Sequence, residues 1–185
     1  GRVLLLVDSG GGSTEIALGR GREVWFRQSF GLGTVRLLER CQPGDPPDDA
    51  GWRRCLESLD EVFTGEILPA LGPHLGVLGG QKPWVIGTSG TATVLAKIEK
   101  GHDGYVREVL DGAELSGARL REWRARLWGM SLADRRRIPG MPPERADVML
   151  SGVAIYEAVV DRLQLRGMQV SVRSLRYAAL MEEGS

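Results

Sequence analysis

Two carboxylates bracket a run of glycines near the start of this chain, in Asp8-Ser9-Gly10-Gly11-Gly12-Ser13-Thr14-Glu15. Glycine permits φ > 0 and lets backbone N–H groups approach a ligand closely, so consecutive N–H groups in such a turn can hold an anion. The hydroxyls of Ser13 and Thr14 add donors. Asp8 and Glu15 have no place in a site built only for anions. Carboxylates beside phosphate make chemical sense when a hard divalent cation sits between them, and Mg²⁺ is held in this way. The octet alone reads equally as a plain hairpin, because glycine runs and strand-end aspartates are ordinary turn chemistry.

A second candidate is Gly87-Thr88-Ser89-Gly90-Thr91, where the apolar run Trp84-Val85-Ile86 passes into a helical pattern extending to about residue 99. Unpaired N–H groups and the helix dipole face such a turn and favour an anion. A simple strand-to-helix connection capped by Thr or Ser accounts for the same residues. Two phosphate-type turns in one chain favour the anion reading of both.

These turns need strands and helices to position them. The run Val3-Leu4-Leu5-Leu6-Val7 reads as a buried strand before the first turn, and Ile16-Ala17-Leu18 as the strand after it. Residues 23–30, with Val24, Trp25, Phe26 and Phe30, continue the meander. Thr34 is placed to N-cap a short helix through residue 40, with Arg36 in its first turns. Trp52, Leu56, Leu59, Val62, Phe63, Ile67 and Leu71 keep a helical period over residues 50–72, and His74 falls in the loop beyond. Residues 100–112 are turn-rich with a short strand at 105–110, and residues 114–128 read as a helix, followed by a helical piece near 131–136. The Arg135-Arg136-Arg137 run reads as a solvated basic turn, or as the rim of a polyanion path. Residues 148–163 form a helix that is apolar nearly all round and is therefore buried. A strand at 169–172 and a helix at 174–183 close the pattern.

The octet resembles the second phosphate-binding motif of the exopolyphosphatase/guanosine pentaphosphate phosphatase (Ppx/GppA) family. Further matches run in that family's order: Gly31-Leu32-Gly33-Thr34-Val35-Arg36-Leu37, Gly87-Thr88-Ser89-Gly90-Thr91-Ala92-Thr93, Arg145-Ala146-Asp147 and Val170-Ser171-Val172-Arg173-Ser174-Leu175-Arg176. The resemblance implies an α/β fold, the ribonuclease-H-like lobe of the actin-like ATPase/sugar kinase superfamily, with a mixed five-stranded sheet flanked by helices. It implies one lobe over residues 1–185 with a helical insert at about 100–145, the first and fourth strands parallel, and the two glycine turns facing a shared cleft. The implied activity is hydrolysis of terminal phosphoanhydride bonds in polyphosphate or guanosine pentaphosphate. Asp8 and Glu15 would hold Mg²⁺ and serve catalysis. Gly10, Gly11, Gly12, Ser13, Thr14, Gly87, Thr88, Ser89, Gly90 and Thr91 would bind phosphate. The family's first lobe, with its own phosphate loop and a catalytic glutamate, does not appear in these residues. This chain therefore resembles the second lobe alone, and is expected to be inactive by itself. Ser9 stands where an aliphatic residue is usual, and Val172 and Ser174 replace an Asp and a Gly in the late motif. A nucleotide-binding fragment of a superfamily sugar kinase or ATPase, and a non-catalytic regulatory or interaction module, are the other readings.

The bulk numbers fit one soluble lobe. A length of 185 residues with 42% hydrophobic and 26% charged residues is ordinary globular composition for one domain. Lys plus Arg and Asp plus Glu each number 24, so neither a nucleic-acid nor a membrane partner is expected and any anion needs a local site. Cys41 and Cys55, with no CxxC spacing, suggest neither a disulfide framework nor a zinc site, and fit a reducing cytoplasm. The chain opens Gly1-Arg2 without Met, which reads as an excised domain or a processed chain. An edge that a first lobe would cover is expected to leave apolar surface bare, through which a homodimer can form.

Overall fold

The computed structural model describes residues 1–172, so the late Arg173–Arg176 part of the final motif and the helix expected at 174–183 lie outside the described residues. Three strands, β1 (Val3–Ser9), β2 (Thr14–Arg20) and β3 (Glu23–Phe30), form the antiparallel meander. After α1 (Thr34–Cys41), a long helical stretch runs as α2 (Asp49–Val62), a π turn at Phe63–Ile67, and α3 (Leu68–Gly76). Then come β4 (Trp84–Thr88), α4 (Gly90–Lys100), the one-turn α5 (Arg107–Leu110), β5 (Glu114–Ser116) and α6 (Gly117–Trp128). The short α7 (Leu132–Arg135), a 3₁₀ turn at Pro143–Arg145, α8 (Met149–Arg162) and β6 (Gly167–Val170) complete the described fold. The sheet order is β3-β2-β1-β4-β6-β5. β1 pairs with β4 in parallel, as does β4 with β6. A meander continued by parallel crossover strands is the architecture that the resemblance implied.

The sheet has six strands where five were expected. The sixth is β5, which reads as helix by sequence. Ser116 is the N-cap of α6, its Oγ accepting from the N–H of Arg119 at 3.1 Å. Residues 114–116 thus stand outside the helix and pair antiparallel with β6. The strand expected at 105–110 is a loop followed by α5. Likewise α1 is capped by the extended backbone of Gly33, not by Thr34, which is buried inside the first turn. His74 lies within α3, beyond Pro73, and its ring sits 5.2 Å from that of Phe26. The π turn precedes Pro69, which has no N–H to continue the α-helical ladder; the Leu68 N–H reaches back to Phe63 O instead.

Alternation along the strands divides the sheet into two faces. Val3, Leu5, Val7 and Ser9 of β1, Ile16 and Leu18 of β2, Val85 of β4 and Met168 of β6 are buried on one face. Helix α8, buried at every residue from Met149 to Val160, packs with α1 and α4 beside that face. The other face carries Leu4, Leu6, Asp8, Glu15 and Trp84, and is more open, with Leu4 40% and Trp84 37% exposed. At the end of α1 the Cys41 thiol is hydrogen-bonded with Cys55 of α2, and both are free and buried. That bond holds Cys41 below the usual thiol range, whereas the same bond and burial push Cys55 up.

Candidate functional site

The first turn takes its shape from the helix beneath it. Its neck is closed by Gly10 N–H donating to Ser13 O at 2.9 Å. Helix α1 then aims its first N–H groups at the turn: Thr34 donates to Gly10 O (2.9 Å), and Val35 and Arg36 to Gly11 O (2.9 and 3.2 Å). These are the donors that a helix start leaves unpaired, so the turn's carbonyls satisfy them. In a planar trans peptide the N–H points opposite to the C=O. With the carbonyls of Gly10 and Gly11 turned down to α1, the N–H groups of Gly11 and Gly12 must point up, away from the protein. Both residues are exposed, and neither N–H has an acceptor among the described residues. The close approach depends on Gly33: a Cβ there would lie 2.3 Å from Gly11 O. The Gly31-Leu32-Gly33 motif thus serves the turn indirectly, by letting α1 reach it.

Asp8 and Glu15 are direct cross-strand partners of β1 and β2, so their side chains project from the same face of the sheet at the mouth of the turn. Both are half-buried. Glu15 Oε1 accepts from Ser13 Oγ and Ser29 Oγ, each at 2.7 Å, so the carboxylate is held in one orientation. Ser13 therefore turns its hydroxyl to Glu15 and not over the turn. Thr14 sits on the opposite face, fully buried, with its Oγ1 donating to Leu32 O. That takes its one proton, so the 3.2 Å contact with Ser9 Oγ is a bond from Ser9 to Thr14. Thr14 ties the strand to the α1 loop and does not face the mouth, a correction to its expected phosphate role. Ser9, unusual in this motif, is accommodated by the same bond.

No cluster of three or more His, Cys, Asp or Glu side chains suited to a metal occurs among the described residues. An all-protein cage is therefore not what Asp8 and Glu15 build. A pair of carboxylates next to unpaired N–H groups fits Mg²⁺, which keeps several waters and shares its remaining ligands with phosphate.

The second turn is less uniform than its sequence suggests. Gly87 and Thr88 are buried strand residues of β4, and Gly87 lies on the core face, away from the mouth. Thr91 is buried too, its Oγ1 donating to Ser9 O at 3.3 Å. Ser89 and Gly90 form the accessible part. Ser89 has φ +104°, a backbone conformation that L side chains rarely adopt. It N-caps α4, its Oγ accepting from Thr91 N–H at 3.2 Å. Gly90 opens the helix and is exposed. Because β1 and β4 are parallel, both turns lie at the same end of the sheet.

A residue that sequence reasoning left out of the site completes it. Arg145, from the 3₁₀ turn before α8, lays its guanidinium over the start of α4: a Cβ on Gly90 would be 3.0 Å from its Nη2. Its Nε is buried and has no hydrogen-bond partner, and no carboxylate pairs with it among the described residues. A cation beside the positive end of a helix dipole is an unfavourable arrangement unless an anion lies with them. The signal was present in Arg145-Ala146-Asp147, but nothing in the sequence places that triplet against Gly90. The Arg135-Arg136-Arg137 run behaves otherwise. Arg135 is buried, donating to the carbonyls of Met130 (2.6 Å), Ala146 (3.0 Å) and Leu127 (3.4 Å), and burial pushes its pKa down. It is a structural brace, neither a solvated turn nor a rim.

A sequence model of the Ppx/GppA phosphatase family matches residues 1–183. The chain belongs to that family. Among curated Ppx/GppA relatives, exopolyphosphatase 2 of Mycobacterium tuberculosis is 35% identical over 170 residues, covering 90% of this chain and 50% of that protein. Exopolyphosphatase 1 of Mycobacterium bovis is 27% identical over 184 residues, covering 99% of this chain and 51% of that protein. The chain thus spans about half the length of the curated relatives it matches. The crystal structure of the Aquifex aeolicus Ppx/GppA phosphatase superposes with a TM-score of 0.83 at 26% identity, covering 98% of this chain and 57% of that one. The Ppx/GppA fold is therefore that of this chain, a mixed sheet flanked by helices. Among the described residues no helix is long and apolar enough to cross a membrane.

Proposed function

We propose that this chain is the phosphate-binding lobe of an exopolyphosphatase or guanosine pentaphosphate phosphatase, hydrolysing terminal phosphoanhydride bonds in the presence of Mg²⁺. The observation that carries the reading is Arg145: a guanidinium with a buried, unpartnered Nε and no carboxylate partner among the described residues, laid over the N-terminus of α4 at the same end of the sheet as the outward N–H groups of Gly11 and Gly12. Three separate sources of positive potential lie at one end of the sheet, beside the Asp8 and Glu15 carboxylates that a bridging cation would neutralise. Gly11, Gly12 and Gly90 would bind phosphate oxygens through their N–H groups, and Arg145 through its guanidinium. Asp8 and Glu15 would hold Mg²⁺, which when bound neutralises phosphate charge and orients an attacking water. Glu15, fixed by Ser13 and Ser29, would keep its orientation as substrate enters.

The base that removes a proton from water is assigned to a first lobe outside these residues, and the lobe 1–185 alone should bind polyphosphate weakly and hydrolyse it negligibly. Positioning and acid–base catalysis are each worth orders of magnitude in rate. Val35, 44% exposed beside Gly11, belongs to the apolar surface that such a lobe, or a second copy of this chain, would cover. Two reduced, buried cysteines support a cytoplasmic setting. The test is a thermal-shift and titration series with tripolyphosphate, a guanosine nucleotide and ATP, each with and without Mg²⁺. Stabilisation by tripolyphosphate is expected. Stabilisation by ATP alone supports a kinase or ATPase fragment, and no shift with any of them supports a non-catalytic module. Robust phosphate release by this chain overturns the assignment of the base to another lobe.

A further inference from the structure

Tyr156 touches nothing in the cleft: it lies in α8 with none of its surface exposed. Its hydroxyl nevertheless stands where the strands beneath the two turns meet. It is 2.6 Å from Thr88 O at the end of β4, 3.3 Å from Val7 O near the end of β1, and 3.4 Å from Ser89 Oγ. A phenol has one proton to give. The short contact takes it, so Tyr156 donates to Thr88 O, and the Ser89 hydroxyl donates to the phenol oxygen. Ser89 is the residue held at φ +104°. Its neighbour on the strand makes room for this arrangement. A Cβ on Gly87 would meet Tyr156 Cε1 at 3.2 Å and Met168 Sδ at 3.0 Å, so the bare glycine lets the ring lie under the turn.

We propose that Tyr156 is a positioning residue for the phosphate site: its hydroxyl holds Ser89 in its positive-φ backbone conformation and fixes the separation between the Gly11–Gly12 and Ser89–Gly90 donors. The inference rests on the phosphate-binding reading and adds what that reading lacks, a device that sets the span of ligand accepted. A single phosphate can occupy one turn. A chain of phosphates must satisfy both at once, so only the longer ligand depends on their spacing.

Tyr156→Phe keeps the ring and removes the hydroxyl, and Gly87→Ala keeps the hydroxyl and displaces the ring. Amide chemical-shift titrations of the whole chain with Mg²⁺, using orthophosphate and tripolyphosphate, follow the Gly11, Gly12 and Gly90 resonances directly. In the unaltered chain all three should titrate with one Kd for tripolyphosphate. Tyr156→Phe is expected to weaken tripolyphosphate about ten-fold while changing orthophosphate by less than about two-fold, the scale of one lost buried hydrogen bond. Gly87→Ala should show the same preferential loss, and carries the test if the Phe variant does not fold. A fall in Tm with both affinities unchanged, or an equal loss for both ligands, overturns the positioning role. An unaltered chain that binds neither ligand refutes the phosphate-binding reading itself.

Discussion

Replacing Gly33 by Ala tests whether α1 shapes the phosphate turn. The added Cβ would stand 2.3 Å from Gly11 O and 2.4 Å from Gly11 C and Gly12 C, all backbone atoms that no rotamer change can move. Ordinary contact needs about 3.4 Å or more, so turn and helix must separate by roughly 1 Å. That distance breaks or badly stretches the bonds from Thr34, Val35 and Arg36 to the Gly10 and Gly11 carbonyls. At about 1 kcal/mol for each hydrogen bond, the loss is roughly 2–4 kcal/mol. For a chain of this size it corresponds to a Tm lower by roughly 5–15 °C. Gly12→Ala is the matched control, since a Cβ there meets nothing within 4 Å. Urea denaturation of both variants gives the energies, and tripolyphosphate titration reports whether the N–H groups still face outward. Gly33→Ala should lose stability and binding together, while Gly12→Ala keeps its stability. If Gly33→Ala stayed within about 0.5 kcal/mol of the unaltered chain, the ordinary range for a surface change, the account of the turn would be wrong.

Arg145→Ala should weaken tripolyphosphate at least about ten-fold while leaving the urea midpoint unchanged or higher, because a cation leaves the positive end of α4. Glu15→Gln keeps an oxygen for Ser13 and Ser29 but removes the charge; titrations with and without Mg²⁺ should show the metal's enhancement of binding largely gone and metal-free binding retained. Thr14→Val, nearly isosteric, strands Leu32 O and the Ser9 hydroxyl, and should cost about 1–3 kcal/mol in urea denaturation.

Where local chemistry is self-sufficient, the sequence is readable. The continuous apolar run of β1, the glycine-only turn, and the α8 pattern that is apolar nearly all round announce their elements because few other structures satisfy those residues. Readings failed where a distant partner decides. Residues 114–116 continue the helical pattern by sequence until β6, far along the chain, pairs with them as β5. Thr14 could face either side of a hairpin, and only the register that pairs it with Ser9 buries it. Arg135 and Arg136 are identical neighbours in sequence, yet one is buried on the carbonyls of Leu127, Met130 and Ala146 and the other is exposed, with a single long bond to Pro143 O. Arg145 depended on the fold in the same way. Its motif was visible, but its contact with Gly90 joins residues 55 apart in the chain.

Three consecutive glycines would ordinarily wander, since glycine has the most backbone freedom to lose. Here two of the three carbonyls are already held by a helix that folds with the core. The entropy of ordering the turn is therefore spent when the chain folds, before any ligand arrives. A phosphate reaching Gly11 and Gly12 finds donors that are already aligned, and its affinity need not be discounted for loop freezing. Amide order parameters at Gly11 and Gly12 should accordingly match those of the flanking strands without ligand, and change little when phosphate binds.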